Sequence, residues 1–265
     1  MEFFDGIWGV FADIAEGVRL SPLWWKLGVE QTIARYRRTV LGPFWVASTT
    51  ISTGIALSVV FGAIFGGDWR GNFPFILSGV LAFQLSSGLL GDGAATFINA
   101  SGLMQVRRLP LSFHALLMCD KQIINFAHQI VGFWLVTACF GLFPLPHWSL
   151  MLTLPIVMLI GLLLAFPLGM LSARYRDVNY FIGFILNGLF MLTPVFWRRS
   201  QIPPKLQWIV DFNPLAHMVE ILRQPFLGHP PPLADLEGAM VTLFAAALLA
   251  FLSLMTFRKR VVFWL

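Results

Sequence analysis

Five stretches of this chain run for twenty residues or more without an Asp, Glu, Lys or Arg: 39–67, 71–91, 122–173, 178–197 and 238–257. A helix needs about 20 mainly apolar residues to cross the hydrocarbon core of a bilayer, so every gap is long enough for one crossing and the third for two. That third run is interrupted by Pro144-Leu145-Pro146-His147, a turn signal that a continuous helix does not accommodate. The spacing predicts six transmembrane helices, over about 43–66, 73–97, 117–143, 149–173, 179–197 and 237–257. Composition agrees: 265 residues that are 57% hydrophobic and 12% charged cannot cover a water-soluble domain with polar surface. Helices satisfy their own backbone in lipid, so the expected fold class is all-α integral membrane.

Lys and Arg set the orientation. Arg19, Lys26, Arg35, Arg37, Arg38, Arg107, Arg108, Lys121, Arg174, Arg176, Arg258, Lys259 and Arg260 fall on one side of the six-span scheme. Only Arg70, Arg198, Arg199, Lys205 and Arg223 fall on the other. The positive-inside bias therefore places both termini in the cytoplasm. The net charge of +5 is the anchor charge of such loops, and nucleic acid is not expected as a partner. Glu2 and Asp5 stand where a signal peptide would carry its basic region, and no cleaved signal is expected.

Three segments are too polar or too short to cross. In residues 22–40, Trp25, Val29, Ile33, Tyr36 and Val40 fall on one helical face and Lys26, Glu30 and Arg37 on a polar stripe. This reads as an amphipathic helix lying in the cytoplasmic interface, either as an anchor or as a strut that also touches a partner. In residues 102–116, Arg107, Arg108 and Pro110 keep an otherwise apolar segment out of lipid, which predicts a short cytoplasmic helix broken near Pro110, with an ordinary loop as the other reading. Residues 198–236 contain two short apolar pieces, and Asn213 before Pro214 is an N-cap and first-turn pair. These are expected to be re-entrant helices on the periplasmic side, or helices lying on that surface.

Several chemistries are excluded. The chain contains no phosphate-binding G-x-x-x-x-G-K-[ST] loop, no G-x-S-x-G and no H-E-x-x-H. His114, His128, His147, His217 and His229 are scattered, Cys119 and Cys139 lie in or beside apolar runs, and neither a metal site nor a disulfide is expected. Asp92 is the one intramembrane carboxylate and is read as a helix-packing group rather than an ion-coupling site. What remains is a transport subunit that is not an enzyme and that draws its energy from a partner.

Arg35-Tyr36-Arg37-Arg38-Thr39, followed by Leu41-Gly42 and Trp45, resembles the signature at the first membrane helix of ABC-transporter permeases that export bacterial polysaccharides: O-antigen (lipopolysaccharide), capsule and teichoic acid. Val106 to Leu111, Arg174-Tyr175-Arg176-Asp177, Thr193-Pro194-Val195, Asn213-Pro214 and Arg223 match further family segments in order, so the resemblance covers about residues 20–260. It implies a homodimer in the bacterial inner membrane, joined to two cytoplasmic ATPase subunits that bind ATP and Mg. The chain itself would carry no cofactor. The cargo would be a polysaccharide on an undecaprenyl-diphosphate lipid. It also implies that Gln105, Val106, Arg107, Arg108, Leu109 and Pro110 form the coupling helix. Arg35, Tyr36, Arg37, Arg38 and Arg176 would serve the lipid diphosphate and the membrane interface, and Asn213, Pro214 and Arg223 a periplasmic re-entrant gate.

Two physical points accord with that resemblance. Arginine offers bidentate contact to a diphosphate, which anchoring alone does not require. A neutral, aromatic-rich channel suits a sugar chain, whose C–H faces stack on rings, and Trp45, Phe181, Phe184, Phe190 and Phe196 are the candidates. The alternatives are an ABC permease for drugs or small lipids, a membrane glycosyltransferase, for which Asp120, Asp177 and Glu30 are too isolated, and a structural subunit that conducts nothing.

Overall fold

Prolines stand just before or just after several helices of this chain, although Pro74, Pro155, Pro167 and Pro225 lie inside helices. The computed structural model describes residues 2–40, 42, 44–64 and 68–265. Leu41 of the first motif, and the limits of the expected first span at 43 and 66, lie outside the described residues. Ten α-helices follow in order: α1 (Glu2–Arg19), α2 (Ser21–Tyr36), α3 (Phe44–Ile64), α4 (Trp69–Val106), α5 (Leu111–Cys139), α6 (Leu150–Arg174), α7 (Asp177–Leu192), α8 (Trp208–Asp211), α9 (Pro214–Phe226) and α10 (Leu233–Phe257). Single 3-10 turns occupy Arg199–Gln201, Pro204–Leu206 and Val261–Phe263, and no strand occurs among the described residues.

Five helices, α3, α4, α5, α6 and α10, are long and apolar enough to cross a membrane, against the six spans expected. The remaining one, α7, is apolar but has 16 residues and stops at Leu192, before the expected end at 197. Its reason is Pro194, which has no N–H to donate and forces the preceding residue out of the helical region; Thr193 is extended at ψ 138°. At the break of the third apolar run, α5 ends at Cys139 and Gly141 takes the left-handed φ of 69°, the conformation in which helices commonly stop. The loop that follows docks on α9, with His147 N–H donating to the carbonyl of Pro225 at 2.8 Å.

The long helix α4 lies at the centre, against α3, α5, α6, α7 and α9. Asp68 caps it by accepting from the Arg70 N–H at 3.0 Å, and its 38 residues extend about 57 Å at 1.5 Å per residue, well beyond a hydrocarbon core of about 30 Å. It packs closely on α6 through small residues: a Cβ on Gly169 would lie 3.0 Å from the carbonyl oxygen of Gly93, as befits helices that associate by van der Waals contact in lipid. A core of buried aliphatic and aromatic side chains runs along it, including Phe73, Leu77, Leu81, Leu85, Leu89 and Phe97.

The N-terminal region departs from expectation. Residues 2–19, read only as a cytoplasmic tail, form α1, which packs on α5 and α10 and buries Val10. The interface helix ends at Tyr36, not 40: Arg37 is extended and Arg38 takes a left-handed φ of 72°, so Arg37 and Val40 leave the two faces assigned to them. The side of α2 that meets α5 is Gly28 and Thr32, whereas Trp25 and Ile33 remain exposed.

Candidate functional site

Between α7 and α10 the chain turns back into the bundle. Asn213 caps α9, accepting from the Leu215 N–H at 3.0 Å while its own amide donates to the Thr193 hydroxyl at 2.9 Å. Ten residues on, Arg223 is 2% exposed and donates to the carbonyls of Pro194 and Val195 at 2.7 and 3.4 Å and to the Glu220 carboxylate. Its guanidinium therefore satisfies the buried carbonyls of the bend that follows α7, which have no helical partners. Arg223 and Arg198 also lie over the Phe75 ring, 4.2 and 4.3 Å from its centroid. Thus Thr193-Pro194-Val195, Asn213-Pro214 and Arg223, separate in sequence, form one cluster.

His217 continues it. Its Nδ1 lies 2.8 Å from the Asp235 carboxylate of α10 and its Nε2 3.0 Å from the Asp211 carbonyl of α8, while Arg199 pairs with the Asp211 carboxylate. Three helices meet on one imidazole, which also borders an apolar cavity of about 920 Å³ between α7, α8, α9 and α10. Asp235 explains why α10 begins at 233, not 237: a carboxylate in the first turn is favourable at a helix N-terminus. Almost every side chain of α9 is buried, by α4, α6 and α10.

At the other end of α4 the chain folds differently from the separate short helix expected over 102–116. Residues 102–106 continue α4, because no residue in that stretch breaks it, and the break falls at Arg107, extended at φ −133° and ψ 132°, ahead of Pro110. Gln105 and Val106 close α4, Arg107 to Pro110 form the bend, and α5 starts at Leu111. The bend is held by α1: the Asp13 carboxylate accepts from the Leu111 and Ser112 N–H groups at 3.0 and 2.9 Å, and the Ser112 hydroxyl donates to the Asp13 carbonyl at 2.6 Å. Val106, Arg107 and Arg108 remain exposed.

The ABC-2 type transporter family model matches residues 22–227, most of the chain. The chain belongs to this family. Among curated relatives, two O-antigen export system permease proteins RfbA of Klebsiella pneumoniae are 22% identical over 73% of this chain and 76% of the relative, and 21% identical over 85% and 86%. Nodulation protein J of Rhizobium leguminosarum bv. viciae is 27% identical over 67% of this chain and 70% of its own length.

In this ABC-2 transporter the candidate residues divide by place. Arg35 lines a polar cavity between α2, α4 and α5, Tyr36 is half-buried at the end of α2, and Arg37 and Arg38 are exposed in the turn before α3. Arg176 is exposed on a different connection, ahead of α7. The five aromatic candidates do not line one surface. Phe196 stacks on Phe61 at 4.4 Å and Phe190 packs edge-on to Phe83 at 5.0 Å, inside the chain, whereas Trp45, Phe181 and Phe184 are exposed. Asp92 is exposed rather than buried, and accepts from the Gln122 amide at 2.6 Å. Lys121 and His114, which share Arg35's cavity, carried no motif, because they are brought to it only by the packing of α5 on α2 and α4.

Proposed function

We propose that this ABC-2 transporter chain is the membrane subunit of an exporter that moves a polysaccharide built on undecaprenyl diphosphate, O-antigen being the leading case, across the bacterial inner membrane. Two copies form the conduit, both termini face the cytoplasm, and two ATPase subunits carrying ATP and Mg supply the work. The family match together with two O-antigen export permeases among its relatives is the observation that carries this reading. In it α7 completes the six crossings: its 16 helical residues span about 24 Å at 1.5 Å per residue, and the buried bend Thr193 to Phe196 continues from it.

The work enters at the bend after α4. Gln105 to Pro110 meet the ATPase there, with Val106 supplying an apolar contact and Arg107 and Arg108 the charge. Because the bend ends the central helix, a push on it reaches α4 as a rigid rod and, through Asp13, α1 and α5 together. At the far end α9 and its contacts with Thr193 to Val195 form the outer gate. The exposed rings Trp45, Phe181 and Phe184 face the sugar chain, while Phe190 and Phe196 brace the wall. Arg107→Glu combined with Arg108→Glu is expected to abolish surface polysaccharide while the protein stays in the membrane, measured by immunoblot of membranes and extraction of surface polymer. Normal export by that variant removes the coupling role.

A further inference from the structure

Between α3, α4 and α5 four carboxamides line a cavity of about 190 Å³: Gln84 from α4, and Gln122, Asn125 and Gln129 from α5. The rest of its wall is apolar, and no charged side chain among the described residues lines it. Gln84 stands midway along the span expected over 73–97, so the amides meet at membrane depth, where an unmet polar group costs more than at a surface. Part of their need is met within the chain. The Gln84 carbonyl accepts from the Thr50 hydroxyl at 2.5 Å and from the Gln129 amide at 3.0 Å, and the Gln122 amide donates to the Asp92 carboxylate at 2.6 Å. Among the described residues this leaves the amide nitrogens of Gln84 and Asn125 and the carbonyl oxygens of Gln122 and Gln129 without partners. Gln122 and Gln129 are only 9% and 7% exposed, yet both oxygens keep accessible surface, which faces the cavity they line.

We propose that this cavity binds a cluster of water molecules. Donors and acceptors around an uncharged space call for a ligand that both donates and accepts and carries no charge, which is what water offers. The volume holds several waters at about 30 Å³ each, and a polar cavity of this kind fills where an apolar one of equal size stays dry. Gly88 makes the room: a Cβ there would lie 2.9 Å from the Gln122 carbonyl oxygen and 3.1 Å from its amide nitrogen. Gln122 also joins the cluster to solvent, because the Asp92 carboxylate it holds is exposed, and Asp92 is about 12 Å from Gln84 along α4 at 1.5 Å per residue. The cluster is thus the inner end of an aqueous inlet that enters the bundle beside Asp92 and stops midway along the central helix. The inference does not depend on the cargo or on the partner ATPase.

The test is hydroxyl-radical footprinting of the full-length chain in lipid nanodiscs by X-ray radiolysis, read residue by residue by mass spectrometry. The radicals arise from water itself, so a side chain sealed from bulk solvent is oxidised only where water sits beside it. Phe126 lines the cavity and Phe133, two turns on along α5, does not, while each is 1% exposed. Phe126 is expected to be oxidised about fivefold or more faster than Phe133. Gln84→Leu combined with Gln129→Leu removes both members of one amide pair, and the Thr50 hydroxyl keeps the Val46 carbonyl at 3.0 Å; the Phe126 rate is expected to fall to that of Phe133. The same fall is expected of Asn125→Leu, at a half-buried position, which carries the test if the double variant does not fold. A fall in either variant supports the site. Oxidation of Phe126 as slow as that of Phe133, or fast oxidation that neither variant changes, overturns it.

Discussion

Arg223 shows how much one side chain contributes to the shape of this molecule. Its guanidinium fills the hydrogen-bonding needs of Pro194 and Val195, pairs with Glu220 and covers Phe75. Arg223→Met keeps the bulk but removes every donor, leaving the Pro194 and Val195 carbonyls without this partner and the Glu220 carboxylate with the Gln224 amide but no cation, and breaking such a buried pair costs about 3–5 kcal/mol. A clear fall in the thermal unfolding temperature of the purified protein is expected, with little recovery in Arg223→Lys, whose single ammonium cannot reach both the carbonyls and the carboxylate. An unfolding temperature equal to that of the unaltered chain contradicts this role. The cap of α9 was legible in Asn213-Pro214, since capping is chemistry between near neighbours in sequence. The carbonyl partners of Arg223, 28 and 29 residues away, were not, because only tertiary packing brings them together.

At the scale of elements, α1 is the least legible helix and one of the most consequential. Gly6, Gly9 and Gly17 weaken its intrinsic tendency to be helical, and no long apolar run marks it. It forms by docking: Gly17 lets it lie against Ser112, Gly9 lies under the Arg258 guanidinium, and a Cβ at either position would overlap its neighbour. Through Asp13 it caps α5 directly after the bend. Asp13→Ala is therefore expected to cost about 1–2 kcal/mol and to speed hydrogen exchange at the Leu111 and Ser112 amides about fivefold or more. Unchanged exchange there would show that α1 does not hold the bend. The end of α4 was also misread. The expected second span already passed Asp92 to reach 97, and since no residue from 98 to 106 stops it, the helix continues to Val106 through the residues assigned to a separate short helix. Proline marks at 110, 144 and 146 served better, since each lacks the N–H that a continuing helix needs, whereas Pro194, which ends α7, stands inside the span expected to reach 197.

For the whole molecule, charge-free gaps and proline breaks made the all-α membrane architecture readable before any packing was known, because a spanning helix needs only length and apolarity. The channel surface was not readable, since rings that pack inward, Phe190 and Phe196, look the same in sequence as Phe181 and Phe184, which face outward. In the proposed homodimer the exposed aromatics Trp45 on α3 and Phe181 and Phe184 on α7 would be the surface that two copies share, with the sugar chain passing where they meet. The central claim is export of a lipid-linked polysaccharide. Its most direct test is deletion of the gene in the source bacterium, comparing polysaccharide at the cell surface with lipid-linked polymer held on the cytoplasmic side of the inner membrane. The account predicts loss outside and accumulation inside; loss of both, pointing to synthesis, or no change in either, pointing to another cargo, would contradict it.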